Sequence, residues 1–144
     1  MKLKLYLLTL LLGALTLQSC SDDDDHSPTI PSAVKEAFAA KYPSVASPKW
    51  ELKLGDYEAE FRNGNREVEA WFKADGTWVK TETDYLEALP EAVQAYIAAN
   101  YPDRVVDDVD WVETPAGDYF EVELEKRGTA DIYVNVKEDG ELFQ

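Results

Sequence analysis

The sequence predicts an α+β fold, in which two helices pack on one face of an antiparallel sheet. It also predicts a tandem duplication of one helix followed by a four-stranded meander. The stretch AVKEAFAAKYP at 33–43 recurs as AVQAYIAANYP at 92–102, and each copy is followed by strand-like alternation and an Asp-Gly turn. Self-similarity at a fixed offset is typical of repeated structural units. The two halves are expected to share one core, because a helix and four strands alone are marginally stable.

The N-terminus has the layout of an export signal. Lys2 and Lys4 precede the apolar run 5–17, which ends in LQSC at Cys20. This run is shorter than the roughly 20 residues that span a membrane, so residues 1–19 are predicted to be a signal peptide. LQSC resembles the lipobox of bacterial lipoproteins, which implies cleavage before Cys20 and lipidation there. The alternative, a reactive thiol at this single cysteine, is less favoured, and a disulfide within the chain is impossible.

Residues 20–30 are predicted to be a lipidated acidic tether. Four successive aspartates at 22–25 repel one another and stay in solvent. They also resemble the surface-export signal of lipoproteins in some Gram-negative gut anaerobes, whereas a calcium loop would need different spacing. These features predict an outer-membrane lipoprotein of the cell envelope, and they leave open whether it faces the periplasm or the outer surface.

The folded part begins near residue 31 and consists of repeat 1 (31–83) and repeat 2 (84–144), which together form one domain. Met1–Ser19 holds two of the 14 basic residues and none of the 29 acidic ones, so the mature chain carries a net charge of −17. This charge repels nucleic acid and anionic lipid, so membrane contact is expected only through the lipid anchor. A monomer is expected.

Each repeat starts with an amphipathic helix. Pro31 and Pro90 suit a first helical turn, and Pro43 and Pro102 stop the helix. Apolar residues recur at spacing four within each helix, which predicts one buried face. These residues are Val34, Phe38 and Tyr42 in the first helix and Val93, Ile97 and Tyr101 in the second.

After each helix the apolar period changes to two, which indicates half-buried antiparallel strands. Repeat 1 is predicted to form strands at roughly 49–54, 57–62, 67–73 and 77–82, with four counterparts in repeat 2 and the last one at the C-terminus. Glycine-containing turns separate the strands. The inward-facing residues include Val68, Ala70 and Phe72 in repeat 1 and Ile132, Val134 and Val136 in repeat 2.

The order of these motifs resembles the PepSY-like, beta-lactamase-inhibitor-like lipoproteins. The resemblance covers about 29–144 and is carried by IPSAVKEAFAAKYP, LPEAVQAYIAANYP, Trp50, Trp111 and the two Asp-Gly turns, behind a lipobox. It implies a sheet with helices on one side and an open face on the other. It supplies no inhibitory residue and no assigned activity.

The folded part contains few groups suited to catalysis. His26 and Cys20 lie in the tether, so a Ser-His-Asp or Cys-His arrangement and a His/Cys zinc site are not expected there. The chain is predicted to be no enzyme and to need no cofactor. Two weaker alternatives stay open: a carboxylate-based glycan hydrolase, and a structural envelope protein that binds cations. Asp107, Asp108 and Asp110 are a weak calcium candidate, with a charged loop as the favoured interpretation.

The strand alternation places Trp71, Tyr133 and Phe143 on the outward face, where aromatic residues often anchor interfaces. Their charged neighbours Glu58, Glu60, Glu69 and Lys73 are expected to be solvated and to influence partner choice. A covering loop or a shifted register is the alternative. The leading hypothesis is a noncatalytic module that presents this face to a protein or peptide, in its sharpest form as an inhibitor of an envelope or secreted hydrolase.

The lipidation hypothesis makes a direct prediction. A Cys20→Ala variant lacks the acylated thiol and is expected to move from the membrane fraction to the soluble fraction. Detergent phase partitioning of cells that express each form measures this. Equal partitioning of the variant and the wild type would contradict the prediction.

Overall fold

A computed structural model describes residues 28–144, so the predicted signal peptide and Cys20 lie outside the described residues. Two helices and seven strands follow one another along the chain. They are α1 (Ser32–Lys41), β1 (Lys49–Lys53), β2 (Asp56–Asn63), β3 (Arg66–Phe72), β4 (Trp78–Asp84), α2 (Glu91–Asn100), β5 (Val105–Thr114), β6 (Gly117–Glu125) and β7 (Ile132–Val136). Both helices and the first four strands lie where the sequence predicts them.

The strands form one antiparallel sheet in the order of the chain, from β1 to β7. Residues that pair directly across antiparallel strands point to the same side. The pairs Ala59–Ala70, Ala70–Thr81 and Thr83–Trp111 therefore assign one side of the sheet. Both helices pack on that side, because α1 contacts Ala59 and Ala70 and α2 lies in the same cluster as Trp111.

The second half departs from the predicted four strands. Within residues 28–144 it forms three, and Leu142 makes only an isolated antiparallel bridge with Val136. This bridge corresponds to the pairing of Trp78 with Phe72 in the first half, where β4 continues for a full strand. In the second half the pairing consists of this one bridge and one further hydrogen bond, from the Phe143 N–H to the Asn135 carbonyl at 3.0 Å.

The described core consists of two clusters, not the continuous one that the sequence suggested. Val34 and Phe38 of α1 cover the first half of the sheet, and Val93 and Ile97 of α2 cover the second. The boundary between the two clusters, which we call the seam, lies at β4 and β5, whose helix side carries Thr81, Thr83 and Glu113. The buried Thr81 hydroxyl accepts a hydrogen bond from Trp78 Nε1 and shares one with the Tyr42 hydroxyl, so this polar group is satisfied within the first half. Polar side chains at this position divide the apolar surface in two.

The two halves repeat the same local contacts. Pro31 and Pro90 precede the helices with nearly equal backbone angles, and the N–H of Tyr42 and of Tyr101 caps its helix at 2.8 Å. A Cβ built on Gly76 would lie 2.6 Å from the Ala33 carbonyl oxygen, and one on Gly140 would lie 2.8 Å from that of Ala92. Each Asp-Gly turn therefore touches the first turn of its helix through backbone atoms.

No helix of the described part is long and apolar enough to cross a membrane.

The tight turn contact predicts unequal costs for two glycine substitutions. Gly76 and Gly64 both have positive φ, at 87° and 67°, but nothing lies within 4 Å of a Cβ built on Gly64. Gly64→Ala therefore measures backbone strain alone, whereas Gly76→Ala adds a clash with Ala33. We expect Gly76→Ala to lower the free energy of unfolding by about 1–3 kcal/mol more than Gly64→Ala in urea titrations. Equal losses would show that the turn and α1 do not press together.

Candidate functional site: the open face of the sheet

The side chains that point away from the helices form one face, which we call the open face. No element of residues 28–144 packs across it, and it runs from Lys49, Glu51 and Lys53 on β1 to Tyr133 and Asn135 on β7. The alternation of strand side chains fixes its composition, because every second residue of each strand belongs to it.

The three predicted aromatic residues lie on this face in different environments. Tyr133 is the most accessible, with 62% exposure. Phe143 is half-buried and stacks on Tyr119, with 4.3 Å between ring centroids. Trp71 is also half-buried, and the ammonium groups of Lys80 and Lys53 lie 4.8 and 5.7 Å from its ring centroid. Trp71 lies on β3 and Tyr133 on β7, roughly 19 Å apart at sheet spacing, so they cannot form one compact cluster.

The predicted charged neighbours are less uniform than expected. Glu60 and Glu69 are partly exposed on the open face, and Lys73 is exposed in the turn after β3. The expectation of a solvated Glu58 is wrong, because its side chain is fully buried. Lys53 donates to Glu58 Oε1 at 2.7 Å, and this ion pair offsets part of the cost of burying the charge.

Two polar atoms beside that ion pair have no partner among the described residues. They are Glu58 Oε2 and Trp71 Nε1, both buried. Glu58 and Trp71 are directly paired across β2 and β3, so an unused acceptor and an unused donor lie on neighbouring strands. Each such group carries a desolvation cost of about 1–3 kcal/mol unless another group satisfies it.

The strand register also places carboxylates directly opposite one another, in two rows across the middle of the open face. The first row is Glu60, Glu69 and Glu82 on β2 to β4, as the pairings of β3 place them. The second row is Asp84, Asp110 and Glu121 on β4 to β6. Glu67 lies next to this row, and its backbone N–H donates to Asp84 Oδ2 at 2.9 Å. Like charges directly opposite one another destabilise a sheet, so these acidic rows lower stability.

Cations reach only part of the acidic rows. Lys49 pairs with Glu60 at 3.1 Å, Arg62 approaches Glu67 at 3.8 Å, and Lys80 pairs with Glu82. Glu69, Asp84, Asp110 and Glu121 form no ion pair with another residue of 28–144.

A shallow cavity of about 160 Å³ opens where the rows meet. Its lining is entirely acidic and consists of Glu67, Glu69, Glu82, Asp84, Asp108 and Asp110. Burial, followed by the charges of Asp108, Glu82, Asp84 and Glu121, raises the pKa of Asp110 to about 7. Burial also raises the pKa of Glu69, aided by the Glu58 charge, and that of Glu121, aided by Glu82.

The aspartates of the sequence-based calcium candidate do not form a loop. Asp107, Asp108 and Asp110 lie in β5, and the side chains of Asp108 and Asp110 point to the open face. In residues 28–144 no three Asp, Glu, His or Cys side chains are arranged to hold a metal ion. The charged-loop interpretation was wrong, because these aspartates belong to β5, which pairs with β6 in the sheet.

The sequence reasoning missed Val112 and Tyr119, which are buried on the open face. It also missed the acidic rows, since it treated alternating glutamates as a uniformly solvated face. The hairpin turns held the signal for the first row, because a turn of known length sets which residues of β2, β3 and β4 pair. No hairpin turn sets the pairing of β4 with β5.

The family comparison adds to this geometry. A family profile described as "Putative beta-lactamase-inhibitor-like, PepSY-like" matches residues 55–144, which is more than half of the chain. The chain belongs to this family. The PepSY-like match covers six of the seven strands and all of α2.

Solved structures from Bacteroides species resemble this PepSY-like chain over most of its length. A BLIP-like protein from Bacteroides fragilis NCTC 9343 is 34% identical, with a TM-score of 0.69 over 85% of this chain and 89% of that one. A DUF2874 family protein from Bacteroides ovatus ATCC 8483 is 25% identical, with a TM-score of 0.71 over 81% and 86%. A chain from Bacteroides eggerthii DSM 20697, described as "putative periplasmic proteins", is 27% identical, with a TM-score of 0.70 over 81% and 88%. A search of curated proteins found no match.

The raised pKa of Asp110 predicts a pH-dependent stability. The folded value of about 7 exceeds the ordinary 3.8, so folding favours the protonated carboxyl. The stability that the protonated Asp110 carboxyl contributes is complete below about pH 4, and it is lost as the pH rises through about 7. Asp110→Asn removes the penalty, so its melting temperature should exceed that of the wild type at pH 8 and approach it at pH 4.

Thermal melts of the wild type and of Asp110→Asn at pH 4 and pH 8 measure this difference in melting temperature. Asp107→Asn is the matched control, because Asp107 is an exposed neighbour on the same strand. A difference between Asp110→Asn and wild type that is equal at pH 4 and pH 8 would contradict the prediction.

Proposed function

We propose that this protein is a noncatalytic binding module that presents its open face to another protein or peptide. The supporting observation is that the open face has no covering element within residues 28–144, yet carries aromatic side chains along its length. Aromatic residues contribute most of the binding energy in many interfaces, whereas an exposed one contributes little to folding. Tyr133 is the most accessible candidate anchor. Trp71 and the Phe143–Tyr119 stack are preordered by their neighbours, which limits the entropy lost on binding.

A catalytic role receives less support from the geometry. A hydrolase of the two-carboxylate type needs a cleft that encloses a sugar, and ligand sites are usually about 300–1,000 Å³ in volume. The acidic cavity is only about 160 Å³. The raised pKa of Asp110 has a sufficient cause in burial and neighbouring charge. Binding is therefore the better explanation of this face.

We further propose that the module is lipid-anchored through Cys20 in the cell envelope and that its two halves arose by tandem duplication. The LQSC motif supports the anchor, and the relative described as "putative periplasmic proteins" supports the compartment. The paired helix-to-turn contacts of Gly76 and Gly140 support the duplication. The family description and the BLIP-like relative support inhibition of an envelope or secreted hydrolase as the specific form of binding.

The binding face is tested by changing Trp71, Tyr133 and Phe143 to Ser, singly and together. The lipid-free chain 21–144 serves as bait for envelope extract, and captured proteins are identified by mass spectrometry. We expect the triple variant to lose the partner that the wild type captures, while Tyr133→Ser alone weakens capture without lowering the melting temperature, because Tyr133 is exposed.

Leu86→Ser is the matched control, since Leu86 is 57% exposed in the linker before α2 and not on the open face. It should leave capture unchanged. Full capture by a folded triple variant would place binding elsewhere on the molecule.

A further inference from the structure

We infer that the partner of the open face docks through a basic segment, with lysine or arginine side chains inserted between the two acidic rows. This inference rests on the proposed function and names the chemistry of its partner. Four of the opposed carboxylates form no ion pair with another residue of 28–144, although six acidic side chains line one cavity. The register therefore holds negative charge in place at a cost to stability.

The side-chain oxygen of the buried Glu58 that has no partner within residues 28–144 is a second, independent observation that points to a ligand. Glu58 is fully buried beside the first row, on the side away from the second row, and its charge helps to raise the pKa of Glu69 on the next strand. Its Oε1 is bound to Lys53, while Oε2 lacks a donor among the described residues. A buried carboxylate oxygen without a donor is costly, and an incoming ammonium or guanidinium group supplies donors. The Lys53 side chain is 43% exposed, so Glu58 is reached from solvent where this lysine is displaced.

The surroundings favour a basic polypeptide over other occupants. A second copy of this chain would bring an equally acidic face and a net charge of −15 for the full sequence. A bare divalent ion lacks a site, because no three acidic side chains of the described part are arranged for a metal. A polypeptide can also use the aromatic residues on both sides of the rows, Trp71 on β3 and Tyr119 and Tyr133 on β6 and β7. Apolar contacts beside a charged centre give such an interface both affinity and orientation.

The probe is a fluorescent octa-arginine peptide, whose binding is followed by anisotropy at low and physiological salt. The test variant is Asp84→Asn with Asp110→Asn, measured at about pH 8.5, above the pKa of Asp110, so that the substitutions keep the shape of the second row and remove two charges. The control is Glu36→Gln with Glu138→Gln, which removes two charges from exposed positions off the open face. We expect the test variant to weaken binding about tenfold and the control by less than about twofold, consistent with two lost charge contacts. Melting curves verify that both variants fold.

Equal weakening in both variants would mean that only the net charge attracts the peptide, and it would overturn the inference. So would unchanged binding by the test variant, or calcium binding that the same two substitutions abolish. The partner-capture experiment distinguishes failure of this inference from failure of the proposed function. If the aromatic variants lose their partner but the acidic variant keeps it, the open face binds and only the basic-segment inference fails. If the acidic rows bind peptide specifically but no substitution on the open face affects capture, the proposed function fails.

Discussion

The register of the antiparallel sheet is the constraint on which the rest of this structure depends. Every strand pairs with its neighbour in sequence, and within each half the hairpin turns determine which residues stand opposite one another. On one side this brings Ala59, Ala70 and Phe72 beneath α1, and Phe120, Val122 and Val134 beneath α2. On the other side the same pairing aligns the acidic rows. A slip by one residue would exchange the two faces, so core packing and surface charge are specified together.

The same sheet holds two separate apolar clusters with a polar seam between them. Thr81 beside that seam bonds to Tyr42 and Trp78 of its own half, and the paired strands β4 and β5 join the halves by backbone hydrogen bonds. The open face is continuous across this seam, and the acidic cavity lies on it. The two halves thus keep their own cores but contribute to one surface. A ligand on that surface would contact strands from both halves.

Much of this architecture was predictable because its signals are local. Helix ends are marked by prolines, and strand alternation assigns Trp71, Tyr133 and Phe143 to the outward face. The features that could not be predicted depend on long-range pairing. Glu58 resembles any alternating glutamate in sequence, and only the packing around Trp71 and Lys53 shows that it is buried. The opposition of Asp84 and Asp110 likewise requires the β4–β5 register across α2, which no hairpin turn sets.

Ile30 has a consequence for how the protein would stand on a membrane. Its side chain is buried in the α1 cluster, so the chain enters the fold from the helix side of the sheet. If Cys20 carries a lipid, the stretch from Cys20 to Pro28 spans at most about 28 Å when fully extended. That length is an upper limit on the distance between the lipidated cysteine and the helix side of the sheet, so the helix side would be the side joined to the bilayer, and the open face would be the side that carries no attachment to it.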